Sequence, residues 1–130
     1  MLRLMPLQTV ILRHDLPDGS SHFDWLLAVD DPPTMPLLTW RCTARPDVIT
    51  RGGALALRRI EPHRIEYLDY EGPVSGNRGA VRRVASGNWH SAGGRLDAPM
   101  GETLKIEVVW IGSSVPQMWE ITSDIARRTG

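Results

Sequence analysis

The chain has 130 residues, 42% of them apolar and 23% charged, which fits one globular domain over 1–130 and excludes a disordered polymer. Fifteen basic residues balance fifteen acidic ones, so net charge supplies no pull toward a polyanion. The single cysteine, Cys42, excludes a disulfide framework and a cysteine-built zinc site, and no run of about 18 apolar residues is available to cross a membrane, so a reducing cytoplasm is the expected setting.

In chain order, the opening MLRLMPLQTVILRHD is apolar but is interrupted by Arg3, Pro6 and Gln8, and no small-residue cleavage site follows. It reads as a first strand, Leu7–Arg13, rather than a signal peptide. Alternation and strand-forming residues predict further strands over His22–Val29, Leu37–Thr43, Ala54–Glu61, Ile65–Tyr70, Ala80–Ala85, Leu104–Trp110 and Gln117–Ile121. Breakers separate them, among them Pro17-Asp18-Gly19, Pro32-Pro33, Gly52-Gly53, Ser75-Gly76-Asn77 and Gly93-Gly94. A short helix is expected over Ser123–Arg128 with Thr122 or Ser123 as its cap. The expected fold is all-β: a compact, stand-alone β-barrel of about eight short strands with at most one or two short helices. Trp25, Trp40, Trp89, Trp110 and Trp119 each lie in or beside a strand and are expected to fill the core, and Cys42 is expected to pack there too.

Fourteen of the fifteen basic residues are arginine, a planar donor fork suited to phosphate, although genomic codon bias produces the same composition. His22 and Asp24 are two apart in a strand and so share a face, while Phe23, Trp25 and Leu27 take the other. His14 closes the preceding strand, and the loop Leu16–Ser21 is short enough for a hairpin that would bring His14 to His22. Two imidazoles and a carboxylate suit a divalent transition metal with open positions; the plainer alternative is three unrelated polar residues at a strand edge. His63 follows Pro62 at an expected bend, where it is either solvated or a phosphate donor or general acid. His90 is expected to be solvated.

Taken together, His14-Asp15, His22-Phe23-Asp24-Trp25, Thr39-Trp40, the run His63 to Gly72 and Gly87-x-Trp89 occur in an order that resembles the 3′-phosphoesterase domain of bacterial DNA ligase D. The likeness covers about Val10 to Trp89, more loosely to Ile121, and is densest through Ile65-Glu66-Tyr67-Leu68-Asp69-Tyr70-Glu71-Gly72. The resemblance implies a manganese-dependent hydrolase (zinc or another transition metal being alternatives) that trims ribonucleoside or phosphate from 3′ ends of DNA or RNA-primed DNA in repair, with a separate ligase or polymerase as a possible partner. It implies His14, His22 and Asp24 as metal ligands, His63 as the phosphate-contacting histidine, Tyr67 beside it, and Asp15 orienting the first histidine. Arg13, Arg45 and Arg59 are the arginines expected on substrate phosphate, with Arg41 and Arg64 as further clamps.

The chain departs from the family pattern at several points. The arginine two places after the strand aspartate is Leu26 here, a change expected to slow turnover by about a hundredfold or more. The loop between His14 and His22 is longer by two residues. Arg64 stands where the family has proline, and Cys42-Thr43-Ala44-Arg45 replaces a Val-Pro-Lys-Gly stretch, with Arg45 one place from the lysine position. Two alternatives therefore stay open: a catalytically weak or inactive metal- and phosphate-binding module acting as a repair accessory, and an iron-dependent oxygenase built on His22-x-Asp24 and a distant histidine.

Overall fold

A strand that must bury one face and wet the other alternates in hydrophobicity, and Leu104, Ile106, Val108 and Trp110 do so against Lys105 and Glu107. In the computed structural model, which describes residues 6–94 and 103–130, nine strands follow this logic: β1 Leu7–Asp15, β2 Ser21–Leu27, β3 Leu37–Cys42, β4 Ala54–His63, β5 Gly72–Pro73, β6 Ala80–Gly93, β7 Leu104–Trp110, β8 Gln117–Ile121 and β9 Ile125–Arg128. They hydrogen-bond in the order β1-β2-β3-β4-β9-β8-β7-β6, and β6 returns to β1, closing an eight-stranded antiparallel barrel; the two-residue β5 sits on the remaining edge of β6. Closure leaves little strand edge exposed for aggregation.

Two expected elements take another form. Ile65–Leu68 is a 3₁₀ turn rather than part of a strand over Ile65–Tyr70, with Tyr67 N–H donating to Arg64 O and Asp69 N–H to Glu66 O. Its apolar residues recur at a spacing of three, Ile65 and Leu68, which turns both toward the sheet. Ser123–Arg128 is not a helix. Its last four residues form β9, which pairs with both β4 and β8 and buries Ala126 completely. So short a helix gains few hydrogen bonds for its nucleation cost, whereas β9 satisfies the backbone edges of two neighbours. β6 also runs well past Ala85. At Gly87 an added Cβ would lie 2.2 Å from the Val109 carbonyl oxygen, so only glycine lets β6 pack so closely on β7.

All five tryptophans are buried inside the barrel. Trp25 is central, its ring 5.5 Å from that of Trp40 and 5.4 Å from that of Trp119. Burying an indole requires a partner for its N–H. Trp25 Nε1 donates to Thr9 Oγ1, Trp89 Nε1 to the Ala28 carbonyl, and Trp110 and Trp119 Nε1 both to Gln117 Oε1. Cys42 is buried in the same core, and burial pushes its thiol pKa up. A second, smaller core lies on the outer face of β1–β3, where Val10, Leu12, Leu26 and Leu37 are covered by Leu68 and Val81 with Ile65, Tyr67 and Val74. This covering leaves the far end of the same outer face open.

Candidate metal centre and anion cleft

Pairing parity determines which side chains meet at that open end. In the β1–β2 hairpin His14 is directly opposite His22, and the rings touch edge-on with centroids 4.8 Å apart. The hairpin turn is closed by Leu16 N–H donating to Ser20 O and by an Asp18 carboxylate that accepts from Ser20 N–H and Oγ. Two residues along β2, on the same face, Asp24 is opposite Arg41 of β3. β3 carries β4 beside it, and the β4 end places His63 opposite Leu37, past a register shift. The His63 backbone N–H is held by Thr39 Oγ1 at 3.3 Å.

Asp24 is the hub and is 1% exposed. His22 Nε2 and Arg41 Nε stand 3.5 and 3.6 Å from its Oδ1, and His63 Nε2 stands 3.4 Å from its Oδ2. Burial alone would raise the Asp24 carboxyl. The hydrogen-bonding contact of His63 and the charges of His22, His63 and Arg41 outweigh burial and hold it below the ordinary carboxylate value. His22 is pushed down chiefly by burial, with Arg41 and His14 adding to the effect against the pull of Asp24. Both shifts have the same consequence for folding. Above its ordinary value of 6.5 His22 is neutral in either state; below it the unfolded chain takes up a proton that the fold resists. Asp24 contributes fully above 3.8 and loses its contribution as pH falls through its lowered folded value. Stability of the metal-free protein is therefore expected to decline steadily on acidification from pH 7. In urea titrations at a series of pH values, His22→Gln is expected to remove the part of the decline nearer neutrality, and an unchanged profile in that variant would contradict this assignment.

His14, His22 and Asp24 each present one ligand atom, all within 4.8 Å of one another. His14 Nε2 lies 2.6 Å from the Arg78 carbonyl oxygen, a contact that requires Nε2–H and leaves the Nδ1 lone pair for a ligand. The carbonyl is brought there by Gly79, whose φ of +87° and approach to Asp15 (an added Cβ would be 1.9 Å from its carbonyl oxygen) admit no other residue. Three buried atoms at this point, His22 Nε2, Asp24 Oδ1 and Arg41 Nε, make no hydrogen bond. Each such orphan costs about 1–3 kcal/mol, and a bound ion would account for the two with lone pairs, His22 Nε2 and Asp24 Oδ1; Arg41 Nε–H, a donor, is directed at the same carboxylate oxygen from 3.6 Å. The donor set thus fits a divalent transition metal. Ligands on one ion with bonds of about 2.1 Å stand about 3 Å apart, so the three side chains would rotate inward on binding. A divalent ion held there, beside one carboxylate and one guanidinium, would leave a surplus of positive charge.

The cluster faces a cleft of about 760 Å³ lined by His14, Asp24, Arg41, His63, Tyr67 and Arg78, among others. Tyr67 packs its ring 5.5 Å from that of His63, whose Nδ1 is 3.2 Å from the Glu61 carbonyl oxygen. No family model matches the chain, and no curated protein matches it either.

The remaining sequence-derived site residues are placed differently. Asp15 accepts from Arg13 Nε at 2.9 Å rather than orienting His14, a task the Arg78 carbonyl performs. Arg13 alternates away from His14 on β1. Arg45 is forked onto Asp47 with Nη2 at 2.7 Å and does not line the cleft. Arg59 is opposite Trp40, on the other face of the sheet from Arg41. Arg64 borders the cleft with its Nε on Glu66 at 2.8 Å. His90 is 3.7 Å from Glu107 on the opposite side of β6 pairing, away from the cluster. Arg78 was not foreseen, because its contribution is a backbone carbonyl, for which side-chain chemistry carries no signal.

Proposed function

We propose that the protein is a manganese-dependent 3′-phosphoesterase acting on the 3′ ends of DNA or RNA-primed DNA. The observation that supports this reading is the convergence of His14, His22 and Asp24 at one point, with His63 on the second oxygen of the same carboxylate and a cleft open beside them. His14, His22 and Asp24 would hold the ion. When bound, it would polarise a phosphate oxygen and lower the pKa of a coordinated water. Asp24 is kept ionised by its three nitrogen-bearing neighbours and so remains a ligand at neutral pH. His63 would keep its Nδ1 contact with the Glu61 carbonyl and turn Nε2 to a phosphate oxygen or to the leaving oxygen as hydrogen-bond donor or general acid. Arg41 and the Tyr67 hydroxyl would complete the donors around the developing charge. A cytoplasmic setting and a separate ligase or polymerase partner belong to the same reading.

One observation favours a second reading, a binding module that holds a 3′ end without cleaving it. Leu26 stands where the family carries a phosphate-contacting arginine, and it is fully buried in the outer core, so no guanidinium reaches the cleft from there. Incubation with manganese and a primer ending in a ribonucleotide distinguishes the two. Release of the terminal nucleoside and then of phosphate, abolished in His22→Ala, is the expected result. A stable complex whose 3′ end is never processed would establish the binding module instead, and the absence of both processing and a complex would reject both readings.

A further inference from the structure

The row of side chains at the site does not stop at Asp24. Asp24 is opposite Arg41, and Arg41 is in turn opposite Arg58 of β4, so one carboxylate and two guanidinium groups lie side by side across three strands on one face. Like charges directly opposite in a sheet destabilise it. Asp24 balances Arg41, but Arg58 is exposed and has no carboxylate partner among the described residues. Arg41 also lines two clefts: the one described above and a second of about 470 Å³, bounded by Ser21, His22, Thr43 and Arg58 with Ala56 and Leu57 between them. The span from Asp24 to Arg58 is two strand spacings, about 10 Å, the reach of a short piece of extended nucleic-acid backbone.

We propose that Arg41 and Arg58 grip the backbone phosphate next to the reacting 3′ end, so that the ligand is a single-stranded nucleic-acid tail carrying at least two phosphates and not a mononucleotide. This rests on the phosphoester reading of the Asp24 site. Arg41 faces both phosphates and Arg58 only the upstream one. The exposed methyl of Ala56 lies beside the intervening sugar, and the Ser21 hydroxyl supplies a further donor at the rim. No base edge is read, so the grip is indifferent to sequence.

Titration calorimetry of the manganese-loaded full chain tests this, using a nucleoside 3′-phosphorothioate and a trinucleotide with the same end, both slow to hydrolyse. The trinucleotide is expected to bind about tenfold more tightly. Arg58→Ala, an exposed change, should abolish that advantage, leave the mononucleotide unaffected, and flatten the trinucleotide's log K against log salt slope by about 0.7. Equal affinity of the two probes for the unaltered protein would overturn the proposal while leaving the metal-site reading intact. So would an Arg58→Ala variant that weakens both probes alike. A trinucleotide bound through Arg58 with no measurable mononucleotide binding would instead preserve the arginine row and count against the Asp24 phosphate site. Binding of neither probe would reject both.

Discussion

Asp24→Asn is expected to weaken manganese binding at least about a hundredfold and to remove 3′ processing altogether. The amide keeps the shape of the carboxylate but not its charge, and that charge is what two imidazoles and a guanidinium are arranged around. Losing an outer hydrogen-bond partner of a ligand typically costs 10–100-fold in affinity, and Asp24 is itself a ligand in this scheme. The metal-free protein should also lose stability. A carboxyl whose pKa is lowered in the fold is one whose ionised form the fold favours, so a neutral replacement forfeits that preference. Breaking a fully buried pair costs about 3–5 kcal/mol; Arg41 is a third exposed and relaxes into water, so about 1–3 kcal/mol is the expected loss. Calorimetric manganese titration and urea denaturation, run on the same preparation, read the two effects separately. Manganese affinity unchanged in Asp24→Asn would remove the carboxylate from the ligand set, and a variant more stable than the parent would show that the buried charge is a net burden.

The parts of this site legible in the sequence are those set by short-range geometry. His22 and Asp24 share a face because strands alternate, and His14 meets His22 because the loop between them is too short to do anything but turn back. The arginines were not legible in the same way. Leu55 and Leu57 point into the barrel, which puts Arg59 on their side and Arg58 on the outer face, but which outer-face neighbour Arg58 meets depends on a β3–β4 pairing with a register shift between Leu37 and Thr39. Arg41 comes to Asp24 only once β2 and β3 are paired across the nine residues 28–36. The same limit explains β9. Nothing local in Ile125–Arg128 prefers a strand over a helical turn; the two open edges of β4 and β8 decide it. Ile65–Leu68 differs in kind. Its period of three was present in the sequence, masked by a composition rich in strand formers.

The largest effect on stability is expected far from the cluster, at Gln117. Its side-chain oxygen accepts the indole N–H of Trp110 at 2.9 Å and of Trp119 at 3.0 Å, and its amide nitrogen donates to the Asp47 carbonyl at 2.9 Å. It is 6% exposed, so water cannot take its place. Gln117→Leu fills nearly the same volume but strands two indole donors and one carbonyl at once. Each stranded buried group costs about 1–3 kcal/mol, and with partial relaxation about 3–5 kcal/mol should be lost, a drop of about 10–20 °C in Tm for a domain of this size. Gln117→Glu separates hydrogen bonding from charge. The carboxyl keeps both acceptor contacts with the indoles, but when ionised it turns a charged oxygen toward the Asp47 carbonyl; when protonated it donates there as the amide did. Burial raises the pKa of such a carboxyl in the folded state, so this variant should approach the parent's stability at acid pH and fall behind it as pH rises toward neutrality. Thermal melts followed by tryptophan fluorescence at two pH values report both. If Gln117→Leu melted within 2–3 °C of the parent, less than about 1 kcal/mol would rest on this residue, and the two indoles would have to find other acceptors in the barrel wall.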